Sequence, residues 1–270
     1  MGLMLILLVF ALGASLGSFI GVLIYRTTNP KEGSPFVGRS FCDNCKRQLT
    51  WYENIPVVSY IALRGQCKTC HKPISKSYLL VEVVTGLLFV WWMTLGFAFF
   101  KLTQAPLLYL QPTFWLVIGL MLIIIFFADV LHGIIPDFAT ATIGLVTLLY
   151  RAYLVWQGVM RGEDLASALM SGIAAGGFFL ALFLATRGRG LGFGDVKFSL
   201  VMGLLLGFPK AIVGFFLSFL FGGVVGVGLL ALGRKKVGQT VPFGPFLVSG
   251  LVTALVWGDA IWQWYMSMLR

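Results

Sequence analysis

Long apolar stretches, separated by short polar loops, make up most of the chain. They fall at about residues 2–25, 78–100, 112–130, 137–157, 164–186, 194–209, 210–233 and 243–267. A helix needs about 20 mostly apolar residues to cross a bilayer, and most of these stretches reach that length. The pattern therefore predicts an all-α polytopic membrane protein with about eight transmembrane helices. The stretch 194–209 is short, so residues 194–233 could instead form one broken helix and one full helix.

Residues 26–77 form a sizeable polar segment between the first apolar stretch and the second. The pattern thus divides the chain into a first transmembrane helix (1–25), a polar segment (26–77) and a membrane domain (78–270). The first stretch is too long, and lacks the basic start, for a cleavable signal peptide, so we expect it to be retained. Glycine recurs every four residues along it, at Gly13, Gly17 and Gly21. Such a stripe predicts close packing against another helix.

Composition and charge agree with a membrane protein. The chain is 59% hydrophobic and 11% charged, whereas soluble domains are about 25% charged. The net charge of +10 could suggest a nucleic-acid partner, but with eight spans 15 of the 20 Lys and Arg residues fall on one side. The positive-inside rule makes that side cytoplasmic, with loops 26–77, 131–136, 187–197 and 234–242. We therefore expect lipid around the chain and no nucleic acid. Seven or nine spans would break this arrangement.

All four cysteines lie in the polar segment as two Cys-x-x-Cys pairs. Cys42 and Cys45 are separated from Cys67 and Cys70 by 21 residues. Two such pairs are typical of a tetrahedral four-thiolate site for structural Zn²⁺. Two disulfides or a redox pair are the alternatives, and the predicted cytoplasmic position argues against stable disulfides. His71 is expected at the surface, because four thiolates already complete the coordination.

Two aspartates lie where apolar stretches end or begin, which is costly for an ionisable side chain. Asp129 ends a stretch, where the helix dipole disfavours an anion, so a purely capping role fits it poorly. Asp195 follows Gly192 and Gly194, and it could also lie in the first turn of a helix, where the dipole favours an anion. Asp137 is expected to cap the helix that follows it.

A pair of nearby carboxylates cannot both ionise easily, so one stays protonated while the other acts as a base toward a water. This is the chemistry of aspartyl peptide hydrolysis, and Asp129 and Asp195 are the predicted catalytic pair. Gly192 and Gly194 permit close approach of another backbone, so we expect them to give an extended substrate access to Asp195. Lys197 could tune the pair or contact substrate, and a plain surface role is equally compatible.

Several short segments follow one another in a distinctive order. The chain contains Gly17-Ser18-Phe19-Ile20, the two cysteine pairs, Glu53-Asn54-Ile55-Pro56, Leu63-Arg64-Gly65-Gln66-Cys67, Glu82, Asp129 with Pro136-Asp137, Gly192-x-Gly194-Asp195 and Pro242-Phe243-Gly244-Pro245-Phe246. In this order, and nearly end to end, the chain resembles the prepilin peptidases. These are the bifunctional leader peptidase/N-methyltransferases of type IV pilus, competence and type II secretion systems.

The resemblance implies that residues 78–270 are a GxGD-type aspartyl peptidase domain with Asp129 and Asp195 as its catalytic acids. It implies cleavage of the basic leader of a prepilin or pseudopilin, after a glycine, at the cytoplasmic face of the bacterial inner membrane. It also implies methylation of the new N-terminal amine with S-adenosylmethionine. That second activity is associated with segment 26–77, and Glu53 and Gly65 match family positions linked to it.

One position departs from the family and leaves alternatives open. The family usually has Asn after Gly-Ser-Phe-Leu, and this chain has Gly21. No glycine-rich Rossmann fingerprint is present either, so the methyl donor would need another kind of site. A peptidase without methylation is therefore one alternative. A transporter that uses intramembrane acids for protons or cations is another, although such acids normally lie near the midplane. The sequence does not fix the oligomeric state.

Overall fold

The computed structural model describes residues 2–28, 38–96, 106–233 and 241–269. The chain divides into two compact units, Met1–Phe127 and Ala128–Arg270. Regular structure in the described residues is helical. The only β-pairings among them are two isolated bridges in residues 38–75, the described part of the polar segment after the first helix, which is called the cysteine segment. The predicted all-α class is therefore confirmed.

The helices of the first unit begin with α1 (Leu3–Thr28). They continue with a 3₁₀ turn (Trp51–Asn54), α2 (Val58–Ala62), α3 (Lys76–Trp91) with a following π turn (Trp92–Gly96), and α4 (Leu107–His132), which ends in the second unit. The helices of the second unit are α5 (Asp137–Trp156), α6 (Gly162–Ala185), α7 (Phe193–Leu206), α8 (Lys210–Ala231) and α9 (Gly244–Met268).

Among the described residues, seven helices are long and apolar enough to cross a membrane: α1, α3 with its π turn, α4, α5, α6, α8 and α9. The remaining predicted stretch is α7, which has 14 residues. It rises about 21 Å, less than the ~30 Å hydrocarbon core. Each predicted stretch thus contains a helix, and residues 194–233 form two separate helices. Residues 97–100 of the second stretch and 234–240 of a predicted loop lie outside the described residues.

Helix boundaries differ from the sequence pattern in two places. α1 runs on to Thr28, so the polar segment begins later than residue 26. α4 begins at Leu107, which places Pro112 inside the helix rather than near its start as expected. Pro136, Pro209 and Pro245 do lie at helix starts, where a missing N–H costs least.

The glycine stripe of α1 packs against α3 in the first unit. A Cβ added at Gly13 would lie 2.8 Å from the Phe89 side chain, and one at Gly17 would lie 2.8 Å from the Cα of Glu82. Only glycine permits such an approach of two helix backbones. The prediction of close helix packing at this stripe is confirmed.

Helix α7 lies inside the second unit and contacts α5, α6, α8 and α9. It is apolar on nearly all sides, as expected for a helix that is buried all round. A Cβ at Gly203 would lie 2.6 Å from the carbonyl oxygen of Ser171 on α6, so the two backbones nearly touch. At its end, Nη2 of Arg151 donates to the Leu205 carbonyl at 2.9 Å. This bond satisfies a carbonyl that has no partner within the helix.

Candidate active site and metal centre

Asp195 lies in the first turn of α7. Gly192 is the N-cap, and Asp195 is the third residue of the helix. Its Oδ2 accepts a 3.0 Å hydrogen bond from the Gly192 N–H. The residue is only 7% exposed, so the dipole and this donor compensate a buried carboxylate. The expectation of a first-turn position is confirmed.

Asp129 lies in the last turn of α4, where its own helix offers no compensation for a negative charge. The compensation comes from another helix. Oδ2 of Asp129 accepts a 2.8 Å hydrogen bond from the N–H of Gly244, the first residue of α9. The first N–H groups of a helix have no partner within it, so this donor is available without loss of a helical bond. Asp129 is 5% exposed.

The second unit brings the two acids together. Both acids belong to this unit, and Asp129 is close enough for its negative charge to act on Asp195. Each has one oxygen held by a backbone N–H, and within the described chain the other oxygen, Oδ1, makes no hydrogen bond. Two fixed carboxylates, each with one oxygen available, can hold and polarise a water molecule.

Residues 242–246 also form part of this site, although the sequence pattern assigns them no role. They enter the family resemblance only as one of its segments. A Cβ at Gly244 would lie 2.7 Å from Oδ2 and 3.0 Å from Cγ of Asp129, so a side chain there would collide with the carboxylate. The signal in the sequence was a glycine between two prolines at the start of an apolar stretch, which indicates a close backbone approach.

The residues around Asp195 are placed as follows. A Cβ at Gly194 would lie 3.1 Å from Cβ of Ile135, so this glycine permits close packing against the segment that follows Asp129. Lys197 forms an ion pair with Asp137, with its Nζ 2.8 and 2.9 Å from the two carboxylate oxygens. Both side chains are exposed. The expected cap was wrong in detail, because the N-cap is Pro136 and Asp137 is the first helical residue.

The four cysteines meet at one point in the first unit. Their sulfur atoms all lie within 4.8 Å of one another, and Sγ of Cys42 is 3.9 Å from Sγ of Cys70. None of them forms a disulfide. Four thiolates at about 2.3 Å around a tetrahedral ion lie about 3.8 Å apart, so the spacing of the cluster is close to that of a four-thiolate metal site.

The two cysteine pairs have the same local structure. An isolated β-bridge closes each one, Phe41 with Gln48 and Gln66 with Pro73. The residue after the second cysteine of each pair has a positive φ, 55° at Lys46 and 53° at His71. His71 is exposed, as expected. Backbone N–H groups of these turns point at the thiolates.

The surroundings of the cysteines also change how readily their thiols ionise. The N–H of Cys70, with that of Thr69, lowers the pKa of the Cys67 thiol to about 6, whereas burial raises the pKa of Cys42 to about 11. Backbone donors thus favour the thiolate form, which a metal ligand requires, at Cys67, whereas burial opposes it at Cys42.

Known proteins match this chain over nearly its whole length. The model of the bacterial peptidase A24 N-terminal domain matches residues 11–95, and that of the type IV leader peptidase family matches residues 116–227. A prepilin leader peptidase/N-methyltransferase of Aeromonas hydrophila is 32% identical over 96% of this chain and 93% of its own length. The chain belongs to the type IV leader peptidase family. The resemblance seen in the sequence is thereby confirmed.

Two further relatives carry the same name. The Bacillus subtilis protein with the same name is 32% identical over 97% of this chain and 98% of its own length. A Pseudomonas aeruginosa relative, also so named, is 29% identical over 97% of this chain. No solved structure matches the chain.

Glu53 and Gly65, which the sequence resemblance predicts to be linked to methylation, both lie in the cysteine segment. Oε1 of Glu53 accepts a 2.6 Å hydrogen bond from Nη2 of Arg47, and Oε2 accepts from the N–H and hydroxyl of Thr50 at 2.9 and 2.7 Å. The pair with Arg47 lowers the pKa of Glu53 to about 2. Glu53 thus links Arg47 and Thr50 within the cysteine segment. Gly65 has φ +68°, and a Cβ there would lie 3.0 Å from the hydroxyl of Tyr60.

Gly21 is the position where this family member departs from the usual Asn. It lies on the face of α1 that packs against the start of α3, and a Cβ there would lie 3.0 Å from the ring of Tyr78. Tyr78 in turn hydrogen bonds through its hydroxyl to Oδ2 of Asp43 at 3.1 Å. The departure therefore coincides with a tyrosine ring that packs where a larger side chain would lie.

Proposed function

We propose that this enzyme cleaves the leader of type IV prepilins or type II secretion pseudopilins, with Asp129 and Asp195 as its catalytic acids. The observation that carries the proposal is the geometry of these two buried carboxylates. Each is fixed by one backbone N–H, and each has an Oδ1 without a hydrogen bond within the described chain. The relatives that carry the name of this activity cover nearly the whole chain.

In the proposed mechanism the pair shares one proton. The ionised carboxylate takes a proton from a water, and the water oxygen attacks the carbonyl carbon of the peptide bond. The protonated carboxyl donates to the carbonyl oxygen. When the C–N bond breaks, the amine leaves with a proton from the pair, and the free acid and amine are the products. Because the proton is shared by the pair, neither role is assigned to one residue alone.

We also propose where this chemistry takes place. This placement counts α7 as a crossing beside the seven longer helices; most Lys and Arg residues then fall on one side, which supports a cytoplasmic position for the loops that precede α5 and α7. Asp129 and Asp195 lie at the ends of helices beside those loops. The substrate cut would then lie at the cytoplasmic face of a bacterial inner membrane, where an apolar pilin helix meets a polar leader.

Methylation of the newly formed N-terminal amine is the second proposed activity. S-adenosylmethionine, when bound, supplies the methyl group, which moves from sulfur to the amine nitrogen while the amine loses a proton. The donor leaves as a neutral thioether. We further propose that the ion held by Cys42, Cys45, Cys67 and Cys70 is Zn²⁺ and that its role is structural, because four thiolates leave no open coordination position.

The test is processing of a purified prepilin in detergent, followed by mass determination of the pilin N-terminus. Asp129→Asn and Asp195→Asn should each abolish cleavage, while Asp259→Asn, on an exposed residue paired with Lys210, should not. Full cleavage by either active-site variant would disprove the assignment. A correctly cleaved but unmethylated pilin would instead favour a peptidase without methylation.

A further inference from the structure

A cavity of about 150 Å³ lies in the first unit, between the cysteine segment and the adjoining ends of α1 and α3. Four aromatic rings line it, those of Tyr25, Phe41, Tyr60 and Tyr78. Exposed residues, among them Lys68, are part of its lining, so the cavity reaches the surface. Aromatic faces attract cations and also bury apolar groups.

Glu82 on α3 places a buried carboxylate on this cavity. The residue is 9% exposed. Its Oε2 accepts a 2.7 Å hydrogen bond from the N–H of Val57, and the Ser18 side chain lies beside it. No Lys, Arg or His of the described chain forms an ion pair with it. A buried carboxylate without a cation is costly, and a cationic ligand would remove that cost.

The backbone that holds Glu82 is strained. Val57 has φ +61° and ψ −49°, a conformation that a β-branched residue rarely adopts. Residues in such conformations persist only where their surroundings fix them, and they occur most often at functional sites. Here the Val57 N–H is turned toward the Glu82 carboxylate, which fixes one oxygen at the wall of the cavity.

We propose that this cavity binds S-adenosylmethionine and that Glu82 faces its sulfonium charge. The proposal rests on the methyl transfer proposed above, and it assigns that activity a donor site. A volume of about 150 Å³ takes a group the size of benzene, so the cavity encloses the sulfonium end while the rest of the donor lies toward the open side. The donor also carries a carboxylate, and Arg26 is among the residues that line the same cavity.

Three positions noted in the sequence act on the walls of this site rather than on the donor itself. Gly65 leaves room for the Tyr60 ring, and Gly21 leaves room for the Tyr78 ring. Glu53 fixes the turn that precedes Tyr60 in the chain, through its hydrogen bonds to Arg47 and Thr50. Both carboxylate oxygens of Glu53 are already bonded, and Asp43 is exposed and accepts from the Tyr78 hydroxyl, so Glu82 is the buried acid on the cavity that remains for a cation.

The experiment compares two ligands that differ in charge at sulfur. S-adenosylmethionine carries the sulfonium, and S-adenosylhomocysteine is the neutral thioether. Equilibrium dialysis of the purified full chain should show that Glu82→Gln weakens binding of S-adenosylmethionine by about tenfold or more, with much less effect on S-adenosylhomocysteine. Glutamine can still accept the Val57 N–H, so the wall remains while the charge is removed. Glu163→Gln, on the exposed start of α6, is the matched control and should bind both ligands as the wild type does.

The outcomes separate this site from the function on which it rests. Unchanged binding of S-adenosylmethionine by Glu82→Gln, or an equal loss of both ligands, would overturn the site while methyl transfer itself stands. A wild-type protein that cleaves prepilin but binds neither ligand would overturn both. Metal content and thermal unfolding check that Glu82→Gln folds. If it does not, Tyr60→Leu is the second variant, and it should weaken binding of the charged ligand more than of the neutral one.

Discussion

The N–H of Gly244 donates to Oδ2 of Asp129 across 115 residues of sequence, so the start of α9 determines how this carboxylate is held. Asp195 is held in the same manner by the N–H of Gly192 at the start of α7. Each acid is therefore compensated by the N-terminal end of a helix, one by its own helix and one by another. A proton can be shared between two such carboxylates without either being left as an uncompensated charge.

Gly244→Ala should lower prepilin cleavage by about 100-fold, the effect of displacing a catalytic group by about 1 Å. The new Cβ would lie 2.7 Å from Oδ2 of Asp129, so the carboxylate must move. The measurement is the rate of leader removal, with thermal unfolding as a check on the fold. Gly228→Ala is the matched control, because a Cβ at this glycine of α8 meets nothing within 4 Å. Equal rates for the two variants would contradict the role of Gly244.

The ion pair between Lys197 and Asp137 should matter little for stability. Both side chains are exposed, with 40% and 73% of their areas accessible. Surface pairs contribute about 0–1 kcal/mol. Lys197→Met, Asp137→Asn and the double variant should therefore each change the free energy of unfolding by less than about 1 kcal/mol. A double-mutant cycle measures the coupling directly. A larger coupling would mean that this pair holds the segment after Asp129 against α7.

How far the sequence predicted this fold depends on the distance over which each feature acts. Membrane helices are decided by local composition, so the apolar stretches predicted each of them. The cysteine pairs were equally local, because each closes its own turn. The first-turn position of Asp195 was likewise a local possibility, because this acid lies at the start of an apolar stretch.

Contacts between distant backbone groups were not predictable in this manner. The hydrogen-bond donor to Asp129 is a main-chain N–H, so the residue type at that position does not reveal it. It also comes from a segment far along the chain. Asp137 was expected to cap its own helix, and it pairs instead with Lys197, 60 residues later. Glu53 matched a family position, but the sequence could not show that Arg47 and Thr50 occupy both of its oxygens. Such pairings arise from tertiary packing, which leaves no periodic pattern.

Metal analysis of the purified protein should find about one zinc ion per chain, as expected for one tetrahedral four-thiolate site. The four sulfur atoms already lie within 4.8 Å of one another, so a single ion can bind all of them. Cys67→Ser should remove the metal, because it replaces the buried ligand of the four. A metal-free preparation with full activity would contradict a zinc requirement.

Glu53→Gln should weaken metal retention by about tenfold or more, as is typical when a partner of the ligand-bearing residues is lost. Glu53 holds Arg47, whose carbonyl accepts the N–H of Cys42. The pKa of Glu53 falls from 4.5 to about 2 because of this pair, so its contribution to stability is present above about pH 4.5 and is lost as the pH falls toward 2. Zinc release to a chelator at pH 7 is the measurement. Release at the wild-type rate would show that the pair does not support the metal site.

Gly65→Ala should lower both donor binding and the methylated fraction of the product by about tenfold or more. Two effects act together at this position, the positive φ of +68° and the clash with the Tyr60 hydroxyl at 3.0 Å. Gly158→Ala, in the second unit, controls for the stability lost through a positive φ, because Gly158 has φ +70° and a Cβ there meets nothing within 4 Å. Backbone strain of the same size should then leave donor binding unchanged. If both variants lost stability equally and Gly65→Ala still bound the donor normally, the wall formed by Tyr60 would have no part in the site. Loss of binding in Gly65→Ala alone would instead show that the position of the Tyr60 ring sets the shape of the cavity.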